Sequence, residues 1–153
     1  METKTLDNQK IVDFSLFNHN KFDDKKVRDR VRKWIKALKS GKFTQGSGKL
    51  EILPGEFSLI GGDNDSNESH YCCLGVANKV CKLRQRPEQG TLSHSWALLG
   101  LNNSGGEFRG VMLDRNYALT DLNDRYGWSF DDIANLLQDQ YNVIMKKRRI
   151  IIK

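Results

Sequence analysis

The chain has 153 residues, of which 38% are hydrophobic and 29% charged. That length bounds it to one domain around a single core, and the balance excludes a disordered chain. No apolar run reaches the length of a membrane span, and the opening Met1-Glu2-Thr3-Lys4 leads into no signal-type apolar stretch, so a cytoplasmic protein with no membrane contact is expected. Three cysteines, two of them adjacent at Cys72 and Cys73, argue for reduced thiols rather than a disulfide framework.

The net charge of +6 is unevenly distributed. Between Lys21 and Lys49 there are 11 Lys/Arg against 3 Asp, whereas Gly100 to Asn142 carries 3 Arg against 7 Asp/Glu. The run Lys146-Lys147-Arg148-Arg149 makes the end basic again. Such asymmetry speaks to partners and not to fold, and a solvated surface is its ordinary explanation.

Residues 1–20 read as a peripheral segment, with alternating Val12, Phe14 and Leu16 suited to a short strand. From Asp23 to Ser40 the apolar residues Val27, Val31, Trp34, Ile35 and Leu38 fall on one helical stripe. Asp23 and Asp24 suit the helix start and Gly41 its end, while Lys25, Arg28, Arg32, Lys36 and Lys39 occupy the other faces. Gln45-Gly46-Ser47-Gly48 requires a pliable backbone. Leu50-Glu51-Ile52 and Phe57 to Ile60 flank Pro54-Gly55 as a hairpin would, and Gly61 to Ser69 is polar enough to be a loop.

A second helix is expected after Ser69 and Glu68, with Cys73, Val76, Ala77, Val80 and Leu83 on its inner face. Gly75 inside it costs about 1 kcal/mol relative to Ala and suits close packing by a neighbour. Leu92 to Leu101 predicts a short helix capped by Ser93, Phe108 to Asp114 a short strand, and Tyr117 to Asp124 a turn or two of helix. Ser129 and Asp132 have capping-box spacing, with Trp128 and Ile133 as the hydrophobic staple of a last helix through Ile133, Leu136, Leu137 and Tyr141. Ile150-Ile151-Ile152 suggests a closing strand.

Several of these stretches, in this order, resemble a family: Trp34-Ile35-Lys36-Ala37-Leu38-Lys39-Ser40-Gly41, Gln45-Gly46-Ser47-Gly48-Lys49-Leu50, Tyr71-Cys72-Cys73-Leu74-Gly75-Val76, Leu98-Leu99-Gly100-Leu101, Leu119 to Asp124, and Ser129 to Ala134. They resemble small uncharacterised proteins encoded by tailed bacteriophages and prophages, over roughly Val27 to Leu137. The resemblance implies a phage origin and a bacterial host cytoplasm, and it brings no assigned catalytic residues. The stretch from Glu51 to Ser69, the N-terminal segment and the basic tail depart from the family pattern.

Three functions are expected, the first from what the resemblance implies and the other two from the residues. The leading expectation is a phage accessory protein, of host-takeover or counter-defence type, that binds a bacterial or phage protein without catalysis. A nucleic-acid binder would use Lys25, Arg28, Arg32, Lys36 and Lys39 with the tail cations Lys146, Lys147, Arg148 and Arg149. A cysteine hydrolase would use Cys72 or Cys73 as nucleophile at a helix start, His94 as base and Asp114 or Asn116 to orient it. A metal on His70, Cys72, Cys73 and Cys81 is not expected, for want of a paired C-x2–4-C ligand set, and Gln45 to Lys49 lacks the phosphate-loop pattern. No cofactor is expected. The expected architecture is α+β: a compact single domain over 21–145, with about three to five helices and a small sheet or hairpin, followed by a basic tail over 146–153.

Overall fold

The structure, a computed structural model, describes residues 5–6, 9–10, 16–58, 62–110 and 115–152. The proposed strand around Val12 and Phe14 and the orienting residue Asp114 lie outside the described residues. In chain order the elements are β1 (Thr5–Leu6), β2 (Gln9–Lys10), α1 (Lys25–Lys39), β3 (Thr44–Gln45), β4 (Glu51–Ile52), β5 (Phe57–Ser58), β6 (Gly62–Asp63) and β7 (His70–Tyr71). They continue with α2 (Cys73–Cys81), β8 (Glu107–Gly110), β9 (Arg115–Ala118), α3 (Leu119–Asp124) and α4 (Phe130–Ile152). Single 3-10 segments precede α1 at His19–Asp23 and lie at Trp96–Leu99. The architecture is α+β, as the patterning predicts.

α1 forms where its stripe requires it. Val27, Val31, Trp34, Ile35 and Leu38 are all buried, and the Asp24 carboxylate accepts the Lys26 N–H at 2.8 Å to cap the first turn. Burial of five such side chains contributes roughly 1.5–3 kcal/mol each before the cost of ordering the chain. α1 packs against both α2 and α4. Trp34 also donates its indole N–H to the Cys73 carbonyl at 2.9 Å, tying α1 to the first residue of α2.

The strands are short and pair over long distances. β7 is the middle strand of a three-stranded sheet, parallel to β3 (Thr44 opposite His70) and antiparallel to β4 (Glu51 opposite Tyr71). The hairpin expected across Pro54-Gly55 is therefore not what forms. β4 pairs forward with β7, and β5 pairs with β6 instead. The polar stretch after Gly61 is not simply a loop either. Asn64 within it is buried and donates through Nδ2 to the carbonyls of Ile52 and Glu68, both at 2.9 Å.

Other expectations shift at the ends. Leu16 and Phe17 are buried, and Asn18 N donates to the Gly100 carbonyl at 2.7 Å, so the N-terminal segment enters the core before residue 20. The helix expected over Leu92 to Leu101 shrinks to the 3-10 turn at Trp96–Leu99. Ser93 caps nothing there; its hydroxyl is drawn to the Gln85 and Gln89 amide oxygens. The capping box of α4 forms as patterned: Ser129 N donates to Asp132 Oδ2 and Asp132 N to Ser129 Oγ, each at 3.1 Å. Once started, α4 continues through Ile152, so the basic run and the three isoleucines are helical and not a tail ending in a strand.

Candidate functional site

The thiol stretch sits where the sheet hands over to α2. Cys72 is the N-cap of α2, and its Sγ accepts the Gly75 N–H at 3.4 Å, a role the sequence suggested for Ser69 or Glu68. Both Cys72 and Cys73 are buried. Burial pushes the Cys72 thiol up to about 12 and raises Cys73 well above the ordinary thiol value, with the neighbouring thiol adding to the latter. A helix start lowers a thiol pKa only where desolvation does not outweigh it, and here it does.

Around these thiols three distant stretches close on one amide. Asn123, in α3, accepts from Gln45 Nε2 at 2.8 Å and from Cys73 N at 3.3 Å through Oδ1. Through Nδ2 it donates to the Gly46 carbonyl at 2.7 Å and to Asp124 Oδ1 at 2.8 Å. Gln45 Nε2 also reaches the Trp128 carbonyl at 2.8 Å, and Gly48 N donates to Asp124 Oδ1 at 3.2 Å. Asp124 is half-buried, and that burial raises its carboxyl above the usual carboxylate range, against the hydrogen bonds from Asn123 and Gly48. Gly75 faces this seam because nothing larger fits: a Cβ there would lie 1.6 Å from the Leu50 carbonyl oxygen.

His94 is elsewhere. It is exposed and lines a cleft of about 280 Å³ with Arg84, Gln85, Arg86, Gln89 and Ser93, and neither Cys72 nor Cys73 reaches that cleft. Asn116 stands in β9, opposite Arg109. The thiols and His94 are thus not brought together, Asp114 lies outside the described residues, and burial of both thiols weakens the case for a nucleophile at this position. Among the described residues no group of three or more His, Cys, Asp and Glu side chains gathers to hold a metal ion, and no helix is long and apolar enough to cross a membrane.

The basic positions divide sharply. Lys25 and Arg32 both pair with Asp29, the former at 3.1 Å. Arg28 turns back to donate to the carbonyls of Phe22 at 2.7 Å and Asp23 at 3.1 Å. Arg148 lies against Asp23 with most of its side chain covered, which docks the end of α4 on the start of α1. The Arg149 side chain is outside the described residues, and Lys146 and Lys147 are exposed on α4. Among the described residues, Lys36 and Lys39 are the two positions of the expected row on α1 that are exposed and meet no acceptor.

Those two belong to a face the sequence row missed. From Arg30 to Lys49 there is no acidic residue, and Lys33, Lys36, Lys39 and Lys42 are all exposed. The C-terminal end of α2 lies beside the middle of α1, where Cys81 Sγ is 3.6 Å from the Arg30 carbonyl and the charges of Lys33 and Arg30 oppose the rise that burial gives its thiol. Lys79 and Lys82, on either side of Cys81 in the chain, are exposed as well. The signal available in sequence was the acid-free run, 69–87 as well as 30–49, more than the periodicity of the cations. At the edge of this face, Arg30 donates to the Leu98 carbonyl at 3.2 Å across a groove of about 560 Å³. Its lining includes Val27, Ala97 and Leu98 with the charged Lys21, Asp23 and Lys26, and Leu98 is 41% exposed.

No family model matches the chain, no curated protein is detectably similar to it, and no solved structure matches its fold.

Proposed function

We propose that this chain is a non-enzymatic accessory factor, phage-encoded and acting in the host cytoplasm as the sequence resemblance implies, that binds an acidic bacterial or phage protein. The observation that carries this reading is a set of exposed cations with no acceptor among the described residues: Lys33, Lys36, Lys39 and Lys42 on and after α1, and Lys79 and Lys82 at the end of α2, which packs against α1. Unpaired charge of one sign steers an oppositely charged surface into contact and sets its register. A protein is favoured over nucleic acid for two reasons. The exposed large apolar side chains among the described residues are Leu53, Phe57 and Leu98, so α1 and α2 present no aromatic platform for base stacking. The Leu98 groove beside the cations offers an apolar centre within a charged rim, as protein interfaces do.

The test is capture of partners from a bacterial lysate, with and without nuclease, by the native chain and by the K33E/K36E/K39E variant. Capture that survives nuclease and weakens at least about tenfold in the variant supports the reading, since several rim charges are reversed together. K146E/K147E, on α4, should leave capture unchanged. Capture abolished by nuclease would replace the protein partner with a nucleic acid held by phosphate contacts.

A further inference from the structure

The cleft that holds His94 is built in two layers. Its floor is a closed set of hydrogen bonds: Gln85 N donates to Asn78 Oδ1 at 3.1 Å, Gln85 Nε2 to Ser95 Oγ at 2.8 Å, and Ser95 Oγ to the Leu83 carbonyl at 3.1 Å. Ser93 Oγ lies 2.9 Å from Gln85 Oε1 and 3.3 Å from Gln89 Oε1. The residues on either side of His94 are thus fixed to the segment that carries Arg84 and Arg86. Arg84 itself is held at φ +62, a left-handed backbone that a side chain of its size rarely adopts.

Above this floor stand Arg84, Arg86 and His94, all exposed, none with an acceptor among the described residues, and no acidic side chain lines the cleft. Two guanidinium forks and an imidazole lining a cleft of about 280 Å³ offer more donors than a carboxylate can accept, in a space that holds a phosphate together with part of the ester that carries it. We propose that this cleft binds the phosphate of a phosphomonoester, Arg84 and Arg86 each donating to its terminal oxygens and His94 closing the third side. This goes beyond the partner-binding face, since the cleft is formed by the segment after α2 and by the turn before Trp96.

The test is an NMR titration of the full chain with sodium phosphate, following the Arg Nε–Hε and His94 ring signals, against sodium chloride at matched ionic strength. Saturable shifts confined to Arg84, Arg86 and His94, absent with chloride, are expected. The R84N/R86Q variant should weaken binding at least about tenfold, since it removes both charge-assisted contacts. Asn tolerates the left-handed backbone at 84, and unchanged Gln85 and Ser93 signals would confirm an intact floor. Shifts that rise linearly with phosphate, that chloride reproduces, or that persist in R84N/R86Q would overturn the site. A phosphoserine peptide and a nucleoside 5′-monophosphate then distinguish the sources; tighter binding of either one identifies which, and both presuppose the site.

Discussion

Around Asn123, residues from β3, α2 and α3 meet, and its amide is matched on both sides within hydrogen-bond distance. On and just beyond α1 and α2, six exposed lysines meet no acceptor among the described residues. The two regions use polar chemistry in opposite ways. A buried amide left unmatched costs about 1–3 kcal/mol, so the seam is satisfied because it must be for the chain to fold. Exposed cations carry no such obligation, and leaving them without acids is a property available to a partner. The stretch that looked most chemical in sequence, Cys72-Cys73, belongs to the first region, and its neutral thiols help close the start of α2.

The largest expected effect comes from forcing the seam open. Gly75→Ala places a methyl 1.6 Å from the Leu50 carbonyl oxygen, so the backbone of one element must move. Loss of more than about 3 kcal/mol of stability, measured by urea unfolding, is expected, at the upper end of what overpacking costs. A G75A protein with near-native stability would show that α2 and the segment before β4 are not in tight contact, and the contrast between a packed seam and an open face would fail at its first point.

Which of these regions could be read from sequence follows from how local its signals are. The buried stripe of α1 and the Ser129–Asp132 box are legible because each is encoded within a few turns. β4 and β7 were not, since two-residue strands have no period and their register depends on Tyr71 meeting Glu51 from 20 residues away. Ile150 to Ile152 reads as strand by β-branched propensity, yet a well-capped helix already running through Tyr141 and Ile144 carries on past it. For the candidate site, the motifs Gln45-Gly46 and Asn123-Asp124 were visible as stretches, but nothing in either indicates that they touch. The basic row was legible as a face; that Arg28 turns to Phe22 and Arg148 to Asp23 depends on folding.

The next effect in size is the protection of the buried thiols. Iodoacetamide at neutral pH should modify Cys72 and Cys73 in the folded chain at least about a thousandfold more slowly than in the urea-unfolded chain, a factor equivalent to about 4 kcal/mol of opening. Cys81, only partly buried, should react before either. Mass spectrometry of peptides from a time course reads all three. Rapid labelling of Cys72 in the folded protein would return a reactive thiol to the seam and revive the hydrolase.

The smallest effect expected is also the most specific to the seam. Burial raises the Asp124 carboxyl above its ordinary range, so the folded chain holds that proton at pH values where the unfolded chain has released it. Stability from this group is therefore greatest at low pH and is lost as pH rises through the window above the ordinary carboxylate range, leaving a buried charge at neutrality. Asp124→Asn retains an oxygen for the Gly48 and Asn123 donors and removes the charge. At neutral pH the variant should match or slightly exceed the native chain, by less than about 1 kcal/mol because a half-buried group is screened by water. As the pH falls toward the carboxylate range, the native chain should gain on D124N. Parallel urea titrations of the two proteins isolate this group from the other carboxylates, which are common to both. A difference between them that does not change with pH would mean that water reaches Asp124 as freely in the folded chain as in the unfolded one. The seam would then be no drier than the lysine face, and the distinction between the two regions would rest on packing at Gly75 alone.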